Sequence, residues 1–140
     1  NNILIKMKNK IYNNLKINDF KQILALVDQA EETNKEAIIL KFGASWCGPC
    51  NRIKDYCHNI FSNLNEKIIC FDLDIDEENN LELYQSYKSK KMIKTIPVLF
   101  CYKSNKERNN DHWWIPDFSV NSSNLAELDI FFSKVNTLTR

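Results

Sequence analysis

Apolar side chains recur along this chain at two distinct spacings. Phe20, Ile23, Leu24, Val27 and Ala30 repeat every three or four residues, the period of a helix with one buried face. Asp19 reads as the cap of that helix, with Gln22 as its reciprocal partner. Ala37 to Phe42 is instead a nearly unbroken apolar run, as expected for a strand covered on both faces. After the loop Gly43 to Pro49, a second helical stripe runs through Ile53, Tyr56, Cys57, Ile60 and Leu64. Ile68 to Ile75 reads as a strand, and Leu81, Leu83, Tyr84, Tyr87 and Lys88 as a third helix. Pro97 to Tyr102 is a strand, Lys103 to Asp111 a solvated loop, and Trp113 to Phe118 a strand paired with the one before. Leu125, Leu128, Phe131, Phe132 and Val135 define a last helix, capped near Asn121 to Asn124. Lys10 to Lys16 adds a short edge strand, and residues 1–9 form a polar extension. The order β-α-β-α-β-α-β-β-α predicts one α/β domain over residues 10–140, a central mixed β-sheet flanked by helices on both faces.

Composition narrows the function classes. A chain of 140 residues with 44% hydrophobic and 26% charged side chains suits one globular domain. A net charge of +1 gives no electrostatic reason to bind nucleic acid or an anionic membrane, and no apolar run is long enough to span a bilayer. The expectation is a monomer. Five cysteines, an odd number with only Cys47 and Cys50 closely spaced, do not read as a secreted disulfide scaffold. No charged-then-apolar leader pattern opens the chain, so a cytoplasmic location is expected. Asn121-Ser122-Ser123 fits a glycosylation sequon that would stay unused there.

The chemistry concentrates in Trp46-Cys47-Gly48-Pro49-Cys50. A C-x-x-C alone serves zinc sites as often as redox sites, but at a strand-to-helix junction in a βαβ pattern it points to redox chemistry. Cys47 would lie at a helix N-terminus, where free N–H groups and the helix dipole favour the attacking thiolate. Pro49 fits the first turn, where its missing N–H costs nothing. Cys50, one turn on, is close enough to bridge Cys47 and is shielded from outside attack. Gly48 lets a substrate backbone approach, and Trp46 supplies a flat apolar wall. Cys57-His58 lacks a second ligand pair, so no metal is expected. Cys57, Cys70 and Cys101 read as packing thiols, Lys88-Ser89-Lys90-Lys91 as a solvated basic run, and His112 beside Trp113-Trp114 as a strand end.

These residues resemble the active-site motif of the thioredoxin family position for position. Phe42 to Ser45 before it, Thr95-Ile96-Pro97 after it and the β-α order match as well, over roughly residues 10–138. The resemblance implies the thioredoxin fold and a thiol–disulfide oxidoreductase acting on disulfide-containing client proteins. Cys47 would be the nucleophile and Cys50 the resolver. Trp46, Gly48, Pro49, Ile96 and a cis Pro97 would form the substrate surface. No cofactor beyond the Cys47–Cys50 disulfide is implied, and an NAD(P)H-dependent, thioredoxin reductase-like donor would restore the dithiol. The Gly-Pro pair implies the reducing direction. The rival readings are a binding subunit whose redox turnover is incidental, and a disulfide oxidase or isomerase.

The departures from the family matter too. The family's buried Asp, six residues before the first active-site Cys, is here Lys41, and its usual Lys partner is here Asp72. Either the pair is charge-swapped and Lys41 ion-pairs with Asp72 beneath Cys50, or the register slips and Lys41 snorkels outward. A protonated Lys41 would favour a Cys50 thiolate but could not take its proton. Asp55 replaces the kink proline of the second helix, expected glycines are missing, and Asp117 or a neighbour falls near the substrate groove.

Overall fold

The computed structural model describes residues 3, 4, 7, 10–29 and 33–138. The elements are β1 (Ile11–Tyr12), α1 (Ile17–Val27), β2 (Ala37–Gly43), α2 (Gly48–Asn63), β3 (Ile68–Asp74), α3 (Glu78–Ser89), β4 (Val98–Lys103), β5 (Phe118–Val120) and α4 (Leu125–Leu138). They follow the order read from the sequence. The five strands lie in the order β1-β3-β2-β4-β5. β1, β3 and β2 run parallel, and β4 and β5 run antiparallel to their neighbours.

Because side chains alternate along a strand, the sheet has two apolar faces. Ile38, Leu40, Phe42, Phe71, Phe100 and Tyr102 pack with Phe20, Leu24, Leu83 and Tyr87 of α1 and α3. Ala37, Ile39, Cys70, Leu99 and Cys101 pack with Ile53, Cys57 and Phe61 of α2 and with Leu128, Phe131 and Phe132 of α4. Every residue of β2 is buried, as its continuous apolar run demands. Lys41 shares the parity of Ala37 and Ile39, so it points at α2 rather than out of the sheet.

Several local expectations are corrected. The edge strand is two residues rather than seven, because Asn80 takes up the backbone after it. The Asn80 carboxamide accepts from Leu15 N at 2.7 Å and donates to Asn13 O at 3.0 Å. α1 begins at Ile17 with Lys16 as its N-cap, so Asp19 is not the cap; its carboxylate sits in the first turn, facing the positive end of the helix dipole. Ala30 and most of the extension over 1–9 lie outside the described residues. On α2, Phe61 is buried where the stripe read Ile60, and Leu81 and Leu125 are exposed. The strand expected at Trp113 to Phe118 forms instead at Phe118–Val120. Pro116 has no N–H to donate, and Asp117 occupies Lys103 N through its carboxylate at 2.8 Å. Trp113 leaves the sheet to pack on Phe20 and Tyr87, with ring centroids 5.8 and 6.2 Å away.

The β4–β5 connection is held down rather than simply solvated. Asp28, at the end of α1, accepts from Asn105 N at 3.0 Å and from Arg108 Nε at 2.8 Å. The Arg108 guanidinium also lies over the Tyr102 ring, 5.8 Å from its centroid.

Candidate redox site

The site sits where β2 ends and α2 begins. Cys47 is the N-cap of α2, with extended backbone angles, and Pro49 occupies the first turn. Cys47 and Cys50 are joined as a disulfide with Cα atoms 5.2 Å apart, within the range such bridges require. The Cys50 backbone N–H donates to Cys47 Sγ at 3.2 Å. A thiolate at Cys47 therefore receives one of the unpaired N–H groups of the helix start as well as the dipole of a sixteen-residue helix.

The two sulfurs face different spaces. Cys47 opens on a groove of about 410 Å³ lined by Trp46, Gly48, Pro49, Tyr84, Lys94, Thr95 and Ile96. The Ile96–Pro97 peptide is cis, and Ile96 O lies 3.8 Å from Cys47 Sγ. Pro97 stands just before β4, so its missing N–H leaves no gap in the sheet. Trp46 is 67% exposed, and its indole N–H is anchored on Asp76 Oδ2 at 2.7 Å, which fixes the wall of the groove. The structure thus gathers Trp46, Cys47, Gly48, Pro49, Ile96 and Pro97 in one place.

Cys50 faces the other way, into a pocket of about 210 Å³ lined also by Asn13, Lys41, Gly43, Asn51, Lys54, Asp72 and Asp74. Lys41 Nζ lies 3.1 Å from Asp72 Oδ1. The register Lys41↔Asp72 across β2 and β3 puts both on the α2 side, so the two side chains pair and the slipped register is excluded. Lys41 is 4% exposed, and its partner offsets the cost of burying an ammonium. A Cβ added at Gly43 would stand 3.5 Å from Cys50 Sγ and 3.8 Å from Lys41 Nζ, so ammonium and sulfur are neighbours across that glycine.

The other three thiols are buried and unpaired. Burial pushes Cys57 up to about 11 despite the attraction of Lys41, which Asp72 opposes. Cys70 rises to about 12 and Cys101 higher still, again chiefly through burial. Such thiols stay protonated and inert near neutrality. Among the described residues, no group of three or more His, Cys, Asp or Glu is placed to hold a metal, and no helix is long and apolar enough to cross a membrane.

Sequence reasoning read Asn121 only as part of a sequon and of a helix cap, and missed its place beside the groove. Asp117 does not reach the groove, because it binds the far end of β4. The residue beside the cis-proline loop is Asn121, which hydrogen-bonds Thr95 and Pro97. Counting the antiparallel pairing outward from Leu99↔Val120 would have found it, had β5 been placed correctly. The cap of α4 is Asn124, whose Oδ1 accepts from Glu127 N at 3.1 Å.

The thioredoxin family model matches residues 14–112. Thioredoxin 3 of Plasmodium falciparum is 29% identical over 130 residues, covering 92% of this chain and 64% of that protein. Chloroplastic thioredoxin Y of Oryza sativa is 24% identical over 92 residues, 66% of this chain and 51% of that one. The chain thus spans less than two thirds of the length of these two relatives. A crystal structure of a Plasmodium falciparum thioredoxin superposes with a TM-score of 0.59 at 24% identity, covering 91% of this chain and 89% of that one. Thioredoxin O2 of Arabidopsis thaliana gives 0.64 at 17% identity, covering 93% and 97%. These two likenesses establish the same fold, and together with the family match over most of the domain and the paired cysteines at the head of α2 they make this chain a member of the thioredoxin family.

Proposed function

We propose that the chain is a thiol–disulfide oxidoreductase working in the reducing direction. The observation that carries this is the opposite outlook of the two sulfurs, Cys47 on the groove and Cys50 on the pocket behind it. In the reduced protein, the Cys47 thiolate attacks one sulfur of a client disulfide. A Cys47–client disulfide forms and the client's other sulfur leaves as a thiolate. Cys50, having lost its proton into the pocket behind it, then attacks Cys47 Sγ. The Cys47–Cys50 disulfide forms, and the client's second sulfur is released, so two electrons pass to the client. An extended client segment lies along Ile96, whose backbone pairs with it as an added strand, while Trp46, Gly48 and Pro49 support it.

Lys41 and Asp72 tune the second step. The Lys41 ammonium favours the Cys50 thiolate without accepting its proton, so proton removal falls to water or carboxylates of the pocket rather than to a residue at position 41. Family members use their own dithiol in place of an external cofactor, act on disulfide clients and are re-reduced by a thioredoxin reductase. For this chain we infer an NAD(P)H-dependent reductase of that kind. We place its work in a reducing, cytoplasmic setting, a reading supported by the three unpaired thiols.

The test is reduction of a model protein disulfide by the wild type and by a Cys47→Ser/Cys50→Ser double variant. Turnover that disappears in the double variant supports the reading. A wild type with no turnover, whose partner binding survives the double substitution, would favour a docking role instead. A Cys50→Ser variant should stall the client adduct on Cys47 and identify clients.

A further inference from the structure

We infer that Asn121 is a positioning residue for the substrate surface, a clamp that fixes the loop carrying Ile96 opposite Cys47. The inference rests on the reductase reading above and adds a residue to it. The pairing Leu99↔Val120 sets the residue after β5 beside the start of β4. From there the Asn121 side-chain Nδ2 donates to Thr95 O at 3.1 Å and to Pro97 O at 2.8 Å. Its Oδ1 accepts from Thr95 Oγ1 at 3.1 Å. Two carbonyl acceptors require the nitrogen on their side, so the amide orientation is fixed by chemistry.

The contacts bracket a single residue. Asn121 engages the carbonyls before and after Ile96, whereas the Ile96 carbonyl itself faces Cys47 Sγ at 3.8 Å. The clamp thus satisfies the flanking acceptors and leaves the middle peptide as the edge offered to an incoming strand. A small disulfide, which needs the sulfur but not the edge, is indifferent to the clamp. A polypeptide disulfide, held along the edge while it reacts, depends on it. Asn121 touches neither sulfur, so its effect belongs in client binding rather than in sulfur chemistry.

Asn121→Asp keeps the shape and the acceptor for Thr95 Oγ1 but turns both donors into a carboxylate facing two carbonyls. Asn121→Ala removes all three bonds, and Asn121→Gln offers the same amide on a longer arm. Rates are measured with a folded protein disulfide and with a small aromatic disulfide on each variant. For Asn121→Asp and Asn121→Ala, kcat/KM for the protein substrate should fall about tenfold, chiefly through KM, as expected from losing two or three neutral hydrogen bonds. The rate with the small disulfide should stay within about twofold of wild type. Partial recovery in Asn121→Gln relative to Asn121→Ala supports the clamp. Should Asn121→Asp fail to fold, Asn121→Ala decides. Equal losses on both substrates would make Asn121 merely structural and overturn the inference, as would unchanged KM for the protein substrate. A wild type inert to both disulfides would overturn the underlying reading and this inference with it.

Discussion

Replacing Lys41 by Met removes a cation from behind Cys50 while keeping most of its volume. A Cβ at Gly43 would lie 3.5 Å from Cys50 Sγ and 3.8 Å from Lys41 Nζ. The two atoms are therefore within about 7 Å of each other, and at an effective dielectric of about 20 their attraction is about 2 kcal/mol. That corresponds to between one and two pKa units, roughly the least the thiol gains from the cation alone at that dielectric. Asp72, 3.1 Å from the ammonium, opposes it. The same signs already act on Cys57, which Lys41 lowers and Asp72 raises. Lys41→Met, which leaves Asp72 in place, should thus raise the Cys50 pKa by roughly one to two units, Asp72→Asn should lower it, and the double variant should fall between the two single variants. The assay is thiolate absorbance against pH in the reduced protein carrying Cys47→Ser. Burial holds Cys57 at about 11 and Cys70 at about 12, with Cys101 above them, so below about pH 10 the signal comes mainly from Cys50. An unchanged or lowered pKa in Lys41→Met, or shifts of the same sign in both single variants, would refute the argument.

Three further outcomes follow from other parts of the structure. The buried thiols have folded-state pKa values above the unfolded one, so the stability they lend is whole below about pH 9 and drains as pH rises through about 11. Denaturant midpoints should therefore fall steeply between those values, and Cys57→Ala/Cys70→Ala/Cys101→Ala should flatten the slope; an equally steep fall in that variant would refute the cause. Asp28→Ala removes the carboxylate partner of Arg108, whose guanidinium keeps only Lys103 O and the Tyr102 ring, and releases Asn105 N, so it should cost about 3 kcal/mol and speed proteolysis within the connection 104–117, whereas intact resistance would contradict the anchoring. Lys91 has φ 59° just after α3, and the bonds Met92 N to Tyr87 O and Lys91 N to Lys88 O close that helix end, so Lys91→Gly should stabilise by about 0.5–1 kcal/mol; a loss in thermal melts would contradict it.

What was legible in the sequence was what local spacing controls. The stripe Phe20, Ile23, Leu24 and Val27 and the run Ala37 to Phe42 carry their own periods, and both became the elements they foretold. The redox motif was legible because five adjacent residues hold its chemistry. The Lys41–Asp72 pair needed only a register between two long apolar strands, which one-residue slips would have turned inside out. Features set by distant partners were not legible. Asn80 shortens β1 from α3, 67 residues away in sequence from Asn13. Trp113 looked like a strand residue by composition, but the aromatic faces of Phe20 and Tyr87 win it for the helix side. Once β5 had been read several residues too early, the loop beside the groove was credited to Asp117, and Asn121 could not be found.

The placement of the bridge between a groove and a separate hollow makes it a partition as much as a bond. A polypeptide seated in the groove meets the front sulfur, while the hollow of about 210 Å³ behind gives water and small reagents a separate approach to the other. Blocking that back door, for instance by filling the space over Gly43, would leave docking untouched and change only what happens afterwards.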